Sequence, residues 1–416
     1  MKAVLIHAPG LARQETEVDN ANQDVVLAPR ASVARLNLSN FRCYESQRME
    51  VGPEPVILSG PNGAGKTNVL EALSYLVPGR GLRGVKLAEI SRRDPQSKEP
   101  ANRPWAVAAN LETKDGPRTV GTGREIQPDA RREKRVVHVD GETMRSQTAL
   151  GEILSAQWLT PQMDRLFLEG ASARRRFLDR LVFGIDPAHA GRVSAYEHAM
   201  RERSRLLRHG QPDSGRAADP EWLSVLEETM ASKGVAVSAA RIELATRLDQ
   251  VAGQAAQEGI FPGASLSVTG TLEKWLDDFP ALEAEDRMKK ALVENRQSDS
   301  NHGSAQIGSH RSDMAVYHLG TGQTAELCST GEQKALLISL ILANARLAAA
   351  QHGALPLLLL DEVAAHLDEA RREALFGEIL KLGIQAWMTG TDVGLFAPIK
   401  TEAQFFGVND AVITPA

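Results

Sequence analysis

One short stretch constrains this 416-residue chain more than any other. Val56, Ile57 and Leu58 form an apolar run ending at Ser59-Gly60, as a buried strand feeding a turn would. Gly60-Pro61-Asn62-Gly63-Ala64-Gly65-Lys66-Thr67 then fits G-x-x-x-x-G-K-[ST] without mismatch. Val69, Leu73, Leu76 and Val77 follow at spacings of three and four, one face of a helix. Strand, glycine turn and helix in that order are the setting in which such a turn cradles a phosphate. The glycines let successive amides point inward at the anion, and the helix presents its positive N-terminal end to the same place. Lys66 can then bridge the β- and γ-phosphates, and Thr67 can offer a hydroxyl to Mg²⁺. An accidental glycine turn would not need the flanking strand and helix.

Two other local patterns belong with this one. Leu357-Leu358-Leu359-Leu360-Asp361-Glu362 reads as an apolar strand ending in two carboxylates. Taken alone, it could end at the surface with both acids solvated. Beside a phosphate loop, a divalent cation would offset the cost of two acids at a strand tip. Asp361 would then hold Mg²⁺ with Thr67, and Glu362, pointing the other way, would orient and deprotonate an attacking water. Ser329-Thr330-Gly331-Glu332-Gln333 opens a helix carrying Leu336, Leu337, Leu340 and Ile341. Ser and Gly at a helix start make either an anion site or a plain cap. One nucleotide needs one phosphate loop, so the anion reading implies a γ-phosphate brought by another subunit.

Charge narrows the partners. The net charge is −5, from 48 Lys and Arg against 53 Asp and Glu, so a uniformly basic nucleic-acid coat is excluded. The distribution is uneven. Residues 80 to 135 hold 14 bases and 8 acids, residues 165 to 209 hold 10 and 5, and residues 210 to 416 hold 16 and 28. Each basic stretch is either a phosphate-binding face or an ordinary solvated surface. Cys43 and Cys328 are far apart and form no CxxC pair, which argues against a disulfide framework or structural zinc and for a reducing, cytoplasmic compartment. The longest apolar runs fall short of the roughly 20 residues that cross a bilayer. Ala3 to Ile6 is broken by His7 and Pro9 before it reaches the length of a signal-peptide core. No membrane partner is expected.

From Ser32 the chain reads as β-rich through Phe41, Met49 to Val51, Trp105 to Leu111 and Arg135 to Val139, the last ending in an Asp140-Gly141 turn. Arg192 to His209, Glu221 to Gly253 and Ala281 to Asn295 read as charged helices, with a loop at Gly210 to Pro220. Ser298 to Ser312 has the composition of a flexible loop. A second apolar block predicts a helix from Glu332 to Ala350, a strand at Leu357 to Leu360, a helix at Glu369 to Leu382 and a strand at Ala386 to Met388. Residues 1–31 read as an extension outside this plan.

Phosphate loop, Ser-x-Gly turn, apolar-Asp-Glu strand and the following Ala364-Ala365-His366-Leu367-Asp368 resemble the Walker A, signature, Walker B and D-loop motifs of ABC-type ATPases. About 295 residues separate Lys66 from Asp361, more than a transporter cassette usually uses. Leu36-Asn37-Leu38-Ser39-Asn40-Phe41-Arg42, Thr160-Pro161, Gly170-Ala171-Ser172-Ala173-Arg174-Arg175-Arg176-Phe177-Leu178-Asp179 and Gly308-Ser309-His310-Arg311-Ser312-Asp313 resemble segments of the RecF family, in order, over roughly residues 33 to 410. The resemblance implies an α/β ABC-ATPase head of SMC type, a P-loop NTPase with an inserted α-helical arm domain. Residues 32–185 would be the first part of the head, 186–300 the arm and 301–416 the second part. It further implies ATP and Mg²⁺ as cofactors, a homodimer closed by two ATP molecules, and weak DNA-stimulated hydrolysis. The implied partners are duplex and gapped DNA, with RecR and RecO, in the loading of RecA.

By the same resemblance Ser329, Gly331 and Glu332 would face the partner subunit's ATP and Asp368 would lie across the dimer. Gln162 stands where a Q-loop glutamine is expected, although the family often has an acid there. Glu332 stands where many signature motifs have Gln. Thr389-Gly390-Thr391-Asp392 lacks the switch histidine of transporters, leaving Thr389 or Thr391 as substitutes. If DNA is the partner, Arg and Lys contacts to phosphate should dominate. The candidates are Arg174, Arg175 and Arg176, then Arg92 and Arg93, then Arg131, Arg132, Lys134 and Arg135, with Arg175 or Arg176 alternatively packing the arm on the head. The competing readings are the energising subunit of a membrane transporter and a scaffold that uses ATP only as a dimerisation switch.

Overall fold

A computed structural model describes residues 31–92, 103–126, 134–209, 219–258 and 261–416. Residues 1–30, Arg93, Arg131, Arg132 and residues 210–218, where a loop is expected from the sequence, lie outside them. Strands β1 (Ser32–Phe41) and β2 (Tyr44–Glu50) precede β3 (Val56–Ser59), which feeds helix α1 (Lys66–Ser74). After the one-turn helix α2 (Leu87–Ile90) come β4 (Trp105–Thr113), β5 (Gly116–Glu125), β6 (Lys134–Val139) and β7 (Glu142–Thr143). These join β1 and β2 in an antiparallel sheet of order β2-β1-β4-β5-β6-β7. One-turn helix α3 (Thr148–Gly151) leads to β8 (Ala156–Leu159) and α4 (Ala171–Phe183).

The next helices are α5 (His189–His209) and α6 (Pro220–Glu258), then β9 (Ala264–Thr269), α7 (Thr271–Asp278), α8 (Ala281–Glu294) and α9 (Arg296–His302). Strand β10 (Asp313–His318) pairs antiparallel with β9. Helix α10 (Thr330–His352), β11 (Leu357–Leu360), α11 (Glu369–Leu382), β12 (Ala386–Gly390), β13 (Gln404–Asn409) and β14 (Val412–Pro415) complete the chain. The second large sheet runs β14-β13-β3-β12-β11-β8, with β3 and β11 separated only by β12. Strands β13, β3, β12, β11 and β8 are mutually parallel, so the phosphate loop and the acidic pair leave the same sheet edge.

The parallel sheet is buried on both faces, which explains its unbroken apolar runs. Side chains alternate between two cores, as a period of two requires. Leu357, Leu359 and Trp387 face α1 and the antiparallel sheet, whereas Leu358, Leu360 and Met388 face α10 and α4. Helix α10 is long and apolar enough by length and composition to cross a membrane, but 72% of its most apolar window is packed inside the protein. It is the central helix of this second core.

A side chain ties the two large sheets together. A register shift between Val33 and Arg35 interrupts the β1 ladder. There Gln385 Oε1 accepts from Val33 N at 2.9 Å, while its Nε2 donates to Val33 O at 2.9 Å and Gly52 O at 2.6 Å. Gln385 is 1% exposed.

Helix α6 connects the core around α10 with a smaller core that it forms with α5, α7 and α8 in the helical arm. At 1.5 Å per residue its 39 residues span about 58 Å. Leu226, Met230 and Val235 pack with Tyr196, Met288 and Leu292 in the arm core, while Leu244, Leu248 and Ala252 reach the core around α10. Arg203 lies buried in the arm, donating to Glu227 (2.9 Å), Asp299 (2.7 Å) and Leu292 O (2.6 Å). That network explains why part of the expected flexible loop is helix α9. Buried Asp299 is a ligand of Arg203, and its tertiary pairing outweighs a Ser/Asn/His-rich composition.

Where α4, α5, α6 and the segment before β10 meet, a buried polar junction forms. Asp179 accepts twice from Arg241 (both 2.8 Å) and sits 2.9 Å from His189 Nε2. Burial works to raise the Asp179 pKa, but Arg241 and His189 outweigh it and hold the carboxyl below its usual range. Arg241 also donates to Ser309 O at 2.7 Å. Tyr196 Oη lies 2.6 Å from His310 Nδ1, and His310 Nε2 lies 2.9 Å from Ala305 O. Gly308 (φ 144°) passes so close to the Tyr196 hydroxyl that a Cβ would overlap it.

Two outcomes follow from these contacts. Gln385→Leu removes the side-chain partner of the Val33 amide and carbonyl and of the Trp387 indole N–H, while Gly52 O keeps Gln404 Nε2 at 3.2 Å, and should lower stability by about 3 kcal/mol in urea unfolding. Burial pushes the His310 pKa down from 6.5 to about 4, so the folded state resists protonation that the unfolded chain accepts. Stability from this site is complete above pH 6.5 and declines as the pH falls towards 4. His310→Gln, which keeps a donor and an acceptor, should flatten the pH dependence of the unfolding midpoint across that window.

Candidate nucleotide-binding site

Strand β3 ends beneath the phosphate loop, and the loop's tightest requirement is at Gly60. Its φ of 153° is coupled to a close approach on Val408 O, which a Cβ would strike. Gly65 (φ 117°) is the N-cap of α1, and a Cβ there would meet the Tyr44 hydroxyl at 2.7 Å. Tyr44 Oη donates to Gly65 O at 3.2 Å, so the start of β2 buttresses the loop from outside. Pro61, Asn62, Gly63 and Ala64 complete the turn, and Ala64 O accepts from Ala411 N at 3.2 Å. Lys66 Nζ folds across the loop and donates to Gly60 O (2.7 Å) and Pro61 O (2.9 Å). Burial lowers the Lys66 pKa, and the nearby Glu362 and Asp361 carboxylates pull it back up.

The acidic pair converges on the start of α1. Thr67 Oγ1 donates to Asp361 Oδ1 at 2.8 Å across 294 residues of sequence. Thr389 Oγ1 donates to the same oxygen at 2.8 Å and accepts from Glu362 N at 2.9 Å. Three parallel strands thus meet in one hydrogen-bonded node. Glu362 has φ 53°, a left-handed conformation that costs a side-chain-bearing residue about 1–2 kcal/mol. That conformation ends the strand direction at Glu362. One hydroxyl and one carboxylate oxygen at a phosphate loop fit Mg²⁺, a hard ion that keeps waters and phosphate oxygens as its other ligands. Among the described residues no cluster of three or more His, Cys, Asp or Glu offers a site for a softer metal.

The Ser329 turn lies at the start of α10. Ser329 Oγ accepts from Glu332 N (3.3 Å), and Glu332 Oε2 accepts from Ser329 N and Oγ (both 2.8 Å), a complete capping box. Those Ser329 bonds hold the Glu332 carboxyl below its usual range. Asp368 caps α11 through Arg371 N at 2.8 Å. Gln162 is exposed in the turn after β8, and two residues on Asp164 pairs with buried Lys334 of α10 at 3.2 Å. Sequence reasoning passed over Lys334 and Tyr44, whose contacts come from distant elements.

The candidate DNA contacts separate into two groups. Arg174 makes a two-pronged pair with Asp313 (both 2.7 Å), and Arg175 donates to Ser312 O at 2.6 Å, so both join α4 to β10. Arg135 is half-buried, donating to Tyr75 O, Val77 O and Gly79 O, and desolvation lowers its pKa to about 10. Arg92 pairs with Glu45 at 3.3 Å. Arg176 is exposed and donates to Ser172 at 2.7 Å.

The model of the RecF/RecN/SMC N-terminal domain matches residues 32–408. The chain is 44% identical over 383 residues to the DNA replication and repair protein RecF of Mesorhizobium japonicum, covering 92% of this chain and 97% of that protein. It is 45% identical over 388 residues to that of Caulobacter vibrioides, covering 92% and 98%. A solved structure of the recombination mediator protein RecF with ATP shares the fold, with a TM-score of 0.76 at 22% identity over 93% of this chain and 98% of that one. These relatives are repair proteins, which sets aside the transporter alternative. An ABC-type head of the SMC kind, a split phosphate site and close relatives along nearly the whole chain lead to one conclusion: this chain belongs to the RecF family of DNA replication and repair proteins.

Proposed function

We propose that this chain binds ATP and Mg²⁺ at the phosphate loop, dimerises around two nucleotides, grips duplex DNA near single-strand gaps in that state and resets by slow, DNA-stimulated hydrolysis. RecR and RecO are the proposed partners in RecA loading, in the cytoplasm at the nucleoid. The observation that carries the reading is the 2.8 Å bond from Thr67 to Asp361, which brings the two halves of a nucleotide site to one point.

Each residue then has a physical task. Gly60 to Gly65 direct amides at the β-phosphate, and Lys66 exchanges its carbonyl partners for phosphate oxygens. Thr67 and Asp361 would hold Mg²⁺, which when bound neutralises charge between the β- and γ-phosphates. Glu362, fixed through its own amide by Thr389, orients the attacking water and accepts its proton. Thr389 takes the position of the switch residue by bonding both acids' backbone or side chain. Ser329 and Gly331 would face the γ-phosphate of the second subunit, and Asp368 would cross the dimer. Gln162 would report the nucleotide state to the arm, which residues 186–300 would form on the head. For DNA, Arg176 and Lys134 are the leading contacts among the described candidates, because both are exposed and neither has a carboxylate partner there.

Glu362→Gln keeps the shape and removes the base. It should lower ATP turnover at least about 100-fold while accumulating an ATP-bound dimer, whereas Lys66→Arg should lose both turnover and ATP-dependent DNA retention. Turnover unchanged in Glu362→Gln would favour a scaffold that uses ATP only as a switch.

A further inference from the structure

The Ser329 turn presents an electrostatic conflict. Glu332 Oε2 occupies both the Ser329 amide and hydroxyl at 2.8 Å, so a full negative charge sits on the groups that would receive a γ-phosphate. A glutamine there would make the same capping box without the charge. The opposing charge comes from another helix. Arg371, in the first turn of α11, reaches towards the Ser329 turn, where its Nη1 would lie 3.3 Å from a Cβ on Gly331. Asp368, three residues earlier, accepts from the Arg371 amide at 2.8 Å through one oxygen and forms a longer ion pair with the guanidinium, at 3.6 Å, through the other. The Arg371 side chain is 28% exposed and so reaches the surface at the turn. The Ser329 hydrogen bonds do most to hold the Glu332 carboxyl low, with smaller help from the charges of His318 and then Arg371.

We infer that Arg371 is a positioning residue of the dimer site: its guanidinium offsets the Glu332 carboxylate, and that compensation lets the Ser329 turn accept a triphosphate from a second copy of this chain. The inference rests on the proposed ATP-closed dimer. Without Arg371 the incoming anion meets an uncompensated carboxylate at short range, and like charges at that distance oppose association. Glutamine at 332 would remove the need for the guanidinium, so the two positions are coupled.

The test is sedimentation velocity of the full chain with ATPγS and Mg²⁺, alongside fluorescent-ATP binding to the single subunit. Arg371→Ala should weaken nucleotide-dependent dimerisation about tenfold or more while nucleotide binding to the monomer stays within about twofold. Arg371→Lys should retain part of the dimerisation. Glu332→Gln should restore dimerisation in the Arg371→Ala background, and alone should equal or exceed the native chain, a result that holds even if Arg371→Ala folds poorly. Dimerisation unaffected by Arg371→Ala, or a Glu332→Gln change that fails to rescue it, overturns the inference and leaves the ATP dimer standing. A native chain that stays monomeric with ATPγS overturns both.

Discussion

The parallel order of β3, β12 and β11 is the constraint on which the site depends, and the bond between Thr67 and Asp361 is its product. That bond is possible only because β3 and β11 lie in one parallel sheet with β12 between them, and β12 supplies Thr389 to the same oxygen. Parallel order places all three C-terminal ends on one edge, where a phosphate loop and an acidic pair can meet although nearly 300 residues of sequence lie between them. Everything inserted between those strands must leave the sheet and return to it. Helix α6 carries that excursion, packed at one end in the arm and at the other against the core around α10.

The arginines explain why net charge says so little about such a protein. Two basic stretches stand out in the sequence, yet many of their residues are consumed internally. Arg135 caps carbonyls beneath the antiparallel sheet, Arg180 stacks on Trp158 and Phe177 with its pKa lowered to about 9 by burial, and Arg203 holds the arm together. Arg174 and Arg175 join α4 to the strand after His310. A buried guanidinium is costly unless its donors are met, and here carboxylates, carbonyls and aromatic faces meet them. A protein of this size can therefore be rich in arginine without presenting it all to a nucleic acid.

Local chemistry was legible in the sequence wherever one segment contains the whole reason for its shape. The phosphate loop, the apolar strand before Asp361 and the helix from Glu369 to Leu382 needed only their own residues. Strand β9 was not legible, because its partner β10 lies more than forty residues on and both are short. Helix α9 was hidden by a loop-like composition that Asp299 and its pairing with Arg203 override. The roles of Tyr44, Lys334 and Arg371 were equally invisible, since each acts on an element distant in sequence. In the Ser329 turn the sequence left an anion site and a plain cap as alternatives. The geometry contains a full capping box, with a cation from α11 beside it.

Nucleotide at this split site is proposed to control association with DNA. Sedimentation of the native chain with a labelled duplex tests it directly, in the presence and absence of ATP and Mg²⁺. A dimer that carries the duplex is expected only when both ATP and Mg²⁺ are present, and a free monomer otherwise. Co-sedimentation of the duplex to the same extent without nucleotide would contradict such control.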